Sequence, residues 1–586
     1  MLSQRRHRFF ISLICSFVAS FLTACNPALV EDTSSEKPQV VQAILSNPKT
    51  FNAILSQESP NVFGLTYEGL VDENPITGEI EPALAKSWEI SEDQKEIIFT
   101  LRENLKWSDG EPLTAEDVVF TYNDLVLNPD IPNNLRDSLR IGESGKFPTV
   151  EKLDPQRVKF TVPQPFAPFL QSTGIPIMPK HALAASVEKT NAEGKPQFLS
   201  KWGIDTPPQD IIVNGRYQLA NYSTSERVTF KKNPYYWETD EQGNELPYID
   251  RVVWQIVENQ DTALLQFRSG GLDSINVTPD YFSLLKQEED RGNFTIYNGG
   301  PQYGTNFLGF NLNTGTRNGK PLVDPVKSRW FNTLEFRKAV AYGINREQMI
   351  NNIFRGLGEK QNSPISVQSP YYYDQVKSYG HDLEKAKELL LSAGFQYNKQ
   401  GQLLDDRGNR VRFTLITNAG NKIREAMGAQ IKQDLADLGI QVDFTPIQFN
   451  VLVNKLSNSL DWECHLLGFT GGNEPHFGIN LWRTDGNLHT FNQVARAGST
   501  PLKGRKVREW EKEIEDLYIQ ASKELDKSKR KELYAEAQQI VQDHLPYIYL
   551  VNPLSLEAVR DHIQGVEYSA LGGAFWNMEE LKLSSD

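Results

Sequence analysis

Val411-Arg412-Phe413-Thr414-Leu415-Ile416 is a short run of β-branched and aromatic residues, and Ile440-Gln441-Val442-Asp443-Phe444 is another. Between them, residues 423–438 place apolar side chains at helical spacing, and Gly439 stands where a helix stops. Strand, helix and strand in that order form a βαβ unit, which needs a parallel pair of strands and sets the class as α/β. The pattern continues on either side. Residues 334–354 read as two helices with Asn345 as the cap at the break, and Asp382 caps 383–393 before Gly394. Towards the end, 506–521 and 529–545 are amphipathic, with stripes that include Ile514, Leu517, Leu533, Ile540 and Val541. The first half reads differently. Residues 96–102, 157–162, 227–230 and 251–257 alternate in the manner of half-buried strands, separated by turns at Ser108-Asp109-Gly110, Asp154-Pro155 and Asn233-Pro234.

The N-terminus carries Arg5, Arg6 and Arg8, then an uncharged apolar run from Phe9 to Leu22, then Thr23-Ala24-Cys25. A basic start, a short apolar stretch and small residues before a cleavage point make a secretory signal, and the stretch is shorter than the ~20 residues of a membrane-spanning helix. Leu22-Thr23-Ala24-Cys25 resembles the bacterial lipobox, which implies removal of residues 1–24 and lipid on Cys25. Residues 25–39 are polar, with Pro and Ser, and read as a tether. The expected location is therefore outside the cytoplasm, lipid-anchored to a membrane, on the periplasmic or cell-surface side.

The chain has a formal charge of −14, and loss of the three signal arginines makes it −17. An acidic chain of this kind is a poor partner for nucleic acid phosphates. Of three cysteines, Cys15 leaves with the signal and Cys25 is acylated, so Cys464 has no intrachain disulfide partner. Stability must then come from apolar cores, which 39% hydrophobic residues can supply, and the length predicts several lobes.

No catalytic constellation emerges. There is no Gly-x-Ser-x-Gly elbow. Gly315-Thr316-Arg317-Asn318-Gly319-Lys320 is one residue short of a phosphate loop, and Pro321 replaces the hydroxyl residue, so it reads as a surface turn. His465, His476 and His489 lie near Cys464 at spacings that fit no compact zinc pattern, and neighbours on a strand face opposite ways. The expectation from these residues is no cofactor, no metal and no catalytic residue.

An ordered set of motifs gives a family. Tyr67-Glu68-Gly69-Leu70, Pro82-Ala83-Leu84-Ala85, Ser87-Trp88, Lys106-Trp107-Ser108-Asp109-Gly110 and Thr114-Ala115-Glu116-Asp117-Val118 come first. Asn214-Gly215-Arg216-Tyr217, Lys232-Asn233-Pro234-Tyr235-Tyr236-Trp237, Arg337-Lys338-Ala339-Val340, Ile344-Asn345-Arg346 and Ala386-Lys387-Glu388-Leu389-Leu390 follow. The chain so resembles the family 5 extracellular solute-binding proteins, the peptide- and nickel-binding subunits of ABC importers. Physically most of these residues are scaffold. Asp109-Gly110 makes a bend over Trp107, and Thr114 with Asp117 forms a capping box.

The resemblance implies a two-lobed periplasmic-binding-protein fold of type II, with an additional domain on the first lobe and a hinge between lobes. It places lobe I at 40–65, 212–305 and 546–586, the additional domain at 66–211, and lobe II at 306–545. It implies a monomer that delivers a small solute, by default an oligopeptide, to permease and ATPase subunits. An oligosaccharide, a metal chelate, or a sensor or chaperone role are the alternatives. The ligand loop should be Phe469, Thr470, Gly471, Gly472, Asn473 and Glu474, with Trp482, Trp462, Tyr303 and Asn306 bordering the cleft. Peptide-binding relatives carry an Asp in this loop for the α-ammonium. Here Gly471-Gly472 stand in that place, so a free N-terminus lacks its carboxylate unless Glu474 substitutes, and Glu474 reads equally as a rim or a structural acid.

Overall fold

The computed structural model describes residues 38–56, 61–133, 135–496 and 499–584. The signal segment, Cys25 and nearly all of the tether lie outside the described residues.

The βαβ unit forms as read. Arg412–Asn418 and Gln441–Ile447 pair in parallel, from Arg412 opposite Gln441 to Asn418 opposite Ile447. The connecting helix, Lys422–Ala436, begins one residue before the expected start because the Asn421 side chain accepts from the Arg424 N–H. Gly439 takes φ +70, the left-handed conformation that ends the helix turn. The five-stranded sheet runs Gln441–Ile447, Arg412–Asn418, Cys464–Phe469, Thr305–Phe310, Tyr547–Tyr549. It is mixed: Thr305–Phe310 is antiparallel to both of its neighbours.

Helices cover this sheet and bury an aromatic cluster. Phe310 stacks on Phe331 at 4.9 Å and meets Phe413 edge-on at 5.4 Å. Two motif arginines are clamps of the same core. Arg337 donates to the Phe331 and His544 carbonyls, and Arg346 donates to those of Ala341, Tyr379 and Tyr549. Each guanidinium thus satisfies buried carbonyls at helix and strand ends that would otherwise be stranded. The two C-terminal helices, Glu509–Lys523 and Lys527–His544, are displaced slightly from their expected bounds. The second starts earlier because Asp526 accepts from the Ser528 and Lys529 N–H groups.

The first half forms separate sheets, built mainly of antiparallel pairs. Ala85–Ile90, Glu96–Leu101, Arg157–Thr161 and Thr149–Lys152 make one, and Gln39–Ile44, Arg251–Ile256, Arg227–Lys232 and Tyr217–Ser223 make another. Trp107 is fully buried beneath the bend in which Gly110 sits at φ +90. The capping box forms, with Glu116 N–H on Thr114 and Thr114 N–H on Asp117.

Three apolar cores result. One is drawn from residues 307–551, a second from 40–252 with 559–581, and a smaller third from 257–294 with 556 and 558. The ten-residue strand Val551–Arg560 joins them. Its first residues pair with Gly358–Lys360, and its later ones with Ser274–Asn276 and Phe294–Pro301. The chain passes between the large core and the others here, and again between Phe294–Pro301 and Thr305–Phe310. This is a two-lobed α/β architecture with two crossing segments.

Candidate functional site

A cleft of about 1120 Å³ opens between two walls. That exceeds the ~300–1,000 Å³ of common small-ligand pockets. One wall comes from residues near 71–80, 132–138 and 171–176. The other comes from 303–305, 364–366, 469–488, Tyr518 and Tyr549.

The loop wall is built by the strand Cys464–Phe469. It ends at the cleft, and the chain turns through 470–474 into the short helical segments Pro475–Gly478 and Ile479–Trp482. Gly471 is required at its position: an added Cβ would lie 2.0 Å from the Tyr303 carbonyl oxygen. Gly472 faces open space, with nothing within 4 Å of an added Cβ. The pair therefore has two causes. Gly471 lets the loop lie against Tyr303, and Gly472 leaves room in the cleft.

Of the expected ligand residues, Phe469, Thr470, Gly471, Gly472, Glu474, Trp482 and Tyr303 line the cleft. Three do not, each for a visible reason. Trp462 is turned into the core, stacked on His465 at 4.7 Å between centroids. Asn306 donates to the Val551 carbonyl and accepts from Arg424 Nε, which ties the crossing strands together. Asn473 reaches across instead, donating from Nδ2 to Glu73 Oε1 at 2.8 Å, while Ser369 Oγ donates to its carbonyl.

Glu474 lines the cleft, but its charge is spent internally. Arg530 Nη2 donates to both carboxylate oxygens at 2.8 Å, and the Tyr534 hydroxyl donates to Oε1 at 3.1 Å. Both ion-pair side chains are buried. A carboxylate so compensated has little to offer an incoming ammonium, and of the readings open for Glu474 this geometry fits the structural one. The histidines also stand apart. Burial holds His465 and His476 as neutral rings, each pushed down to about 3. His489 bridges the Leu481 carbonyl and the buried Glu511 carboxylate.

The sequence reading missed the opposite wall. Asp72, Glu73 and Asp137 line the cleft there, with Gln171 beside them, and among the described residues Arg496 is the one cationic lining residue. Tyr518 and Tyr549 complete the aromatic floor. The Tyr549 hydroxyl is buried and has no hydrogen-bond partner among the described residues. These groups come from segments hundreds of residues apart, and the only local signal was acids in a strand-rich stretch.

Polar contacts join the walls around the cleft. Besides Glu73–Asn473, Asn487 Nδ2 donates to Asp137 at 2.7 Å, Arg140 pairs with Asp485 at 3.3 Å, and Lys523 pairs with Glu143 at 3.1 Å. The Ala167 N–H donates to the Ser522 carbonyl at 2.8 Å. Phe166 packs edge-on against His476.

Comparisons with known proteins agree with this architecture. A "Probable ABC transporter-binding protein" of Deinococcus radiodurans is 29% identical over 552 residues, covering 90% of this chain and 88% of the relative. The dipeptide-binding protein of Escherichia coli K12 is 25% identical over 539 residues, covering 90% of each. Among solved structures, the periplasmic binding protein MelB of Agrobacterium fabrum C58, in complex with stachyose, superposes with a TM-score of 0.77 at 21% identity, over 94% of this chain and 85% of that one. The family model for bacterial extracellular solute-binding proteins, family 5 Middle, matches residues 79–489. That match spans well over half of the chain: the chain belongs to the bacterial extracellular solute-binding proteins of family 5.

Proposed function

We propose that this chain is the lipid-anchored receptor of an ABC importer, holding an oligopeptide-like solute between its lobes and passing it to a permease. The observation that carries the reading is the cleft itself, a large cavity whose two walls come from different cores and touch through side-chain bridges around its edge. Such a site opens and closes by relative movement of its walls, and closure traps the guest. The two crossings beside Asn306 and Val551 are the natural hinge. The lobes proposed are 40–65, 212–305 and 546–586 for the first, with 66–211 added to it, and 306–545 for the second.

The peptide assignment draws on dipeptide-binding and nonapeptide-complexed relatives. Nothing in the site suggests bond-breaking chemistry, so binding alone is proposed, with a monomer as the working unit. Lipid on Cys25 would hold the body at the membrane surface through the 25–39 tether. A second reading has support from one feature: Trp482, Tyr303 and Phe469 give the aromatic faces on which a sugar ring stacks. Native mass spectrometry of the purified body tests both. A co-purified mass that fragments as a peptide supports the first reading, and a hexose ladder replaces it with the second.

A further inference from the structure

We infer that the cleft selects a solute carrying a positively charged amine, read by Asp72 and Asp137 on the wall opposite the 470–474 loop. This rests on the cleft being the solute site and names the charge that the site demands.

Among the described residues, four carboxylates line the cleft and one cation does. Their states differ. Glu474 is neutralised by Arg530. Glu73 is held by two amides, those of Gln171 and Asn473, and is ion-paired with nothing among the described residues. Asp137 receives one amide hydrogen bond, from Asn487. Asp72 accepts only from the N–H of its neighbour Glu73. Neither aspartate has a cation within ion-pair distance among the described residues; the buried Arg216 guanidinium acts on Asp72 only at longer range and is itself paired with Glu579. Arg496, like Asp72, is exposed, and this single cation against Asp72, Glu73 and Asp137 leaves the described lining with an excess of negative charge.

A closed cleft strengthens the consequence. Removing water from carboxylates without counter-ions is costly, and a guest cation repays that cost while a guest anion adds to it. The opposite side is complementary in another way. Its floor is aromatic, and the Tyr549 hydroxyl waits there, 2% exposed and without a partner. A buried hydroxyl left unpaired is unfavourable until something polar meets it. The solute therefore presents an ammonium to Asp72 and Asp137, and an uncharged body with one polar group to the tyrosine floor. In a peptide-like guest the ammonium is the α-amine or a basic side chain, and it lies across the cleft from the loop that would hold it in peptide-binding relatives.

The test is isothermal titration of the full chain, freed of co-purified solute, with Lys-Ala-Ala, Glu-Ala-Ala and spermidine. Lys-Ala-Ala should bind at least about tenfold more tightly than Glu-Ala-Ala at low salt, a gap of ~1.4 kcal/mol, and added salt should narrow it. In the Asp72→Asn/Asp137→Asn double variant that ratio should fall about tenfold. Asp72 is exposed and Asp137 partly so, and each single variant read for the same ratio covers a double variant that folds poorly. Spermidine binding with neither peptide bound supports the charge assignment and overturns the peptide reading. Equal binding of both peptides does the reverse. Preference for Glu-Ala-Ala, or no binding of either cationic probe at millimolar concentration, overturns the inference.

Discussion

Arg530 grips Glu474 through two 2.8 Å hydrogen bonds to its two carboxylate oxygens, in a site where both side chains are less than a tenth exposed. The Arg530 guanidinium also donates to the Tyr371 hydroxyl at 2.6 Å and lies 4.9 Å from the centre of that ring. The pair fixes the far end of the ligand loop to the C-terminal helix Lys527–His544. It explains why an acid that lines the cleft is engaged within the protein and is not free to meet a solute.

Breaking the pair from one side should be severe. Arg530→Met leaves the Glu474 charge buried and uncompensated, which costs about 3–5 kcal/mol. Chemical unfolding should show a lower midpoint for the lobe that holds residues 307–551. An unchanged midpoint would mean that water reaches the carboxylate.

The two loop glycines should respond oppositely to alanine. Gly471→Ala forces a methyl to within 2.0 Å of the Tyr303 carbonyl and should cost about 1–3 kcal/mol through loop displacement. Gly472→Ala enters open space and should keep stability within about 0.5 kcal/mol of the parent. Thermal melts of the two variants, side by side, check the contrast.

Removal of the bridge between Asn473 and Glu73 should favour the open form. A hydrogen bond to a charged group contributes ~1.5–3 kcal/mol, enough for a population shift of about tenfold or more. Asn473→Ala should raise the radius of gyration seen by small-angle X-ray scattering without solute. An unchanged radius would assign closure to the other bridges.

Glu557 should make stability depend on pH near neutrality. Burial pushes its carboxyl up to about 7 from an ordinary 4.5, and hydrogen bonds from Ser274 and Ala574 offset this only in part. The unfolded chain releases this proton first. Stability is therefore fully present below about 4.5 and is lost as pH rises through about 7, by roughly 3 kcal/mol. Glu557→Gln should remove that part of the slope between pH 4.5 and 7 in unfolding measurements. A parallel slope in the variant would place the titration elsewhere.

Lipid attachment gives a cellular prediction. Cys25→Ser should move the chain from the membrane fraction to the soluble fraction, because no other part of the sequence has a lipid-acceptor signal. Full retention of the variant in membranes would remove the anchor from the proposal.

The sequence by itself determined the class of the fold, the family and the scaffold. Periodicity in 411–444, the caps at Asn345 and Asp382, and the Trp107 bend are local devices, and local devices are written in consecutive residues. Of the ten residues it proposed for the ligand site, seven line the cleft. Only the tertiary structure decided what those residues can do. Glu474 became a structural acid because a helix more than fifty residues later brings Arg530 to it, and Trp462 became core because its ring turned towards His465. The acidic wall of Asp72, Glu73 and Asp137 faces the loop across a distance that no spacing in the chain encodes. Charge in a binding site belongs to the sum of groups that folding brings together, and each segment carries only its own part of that sum.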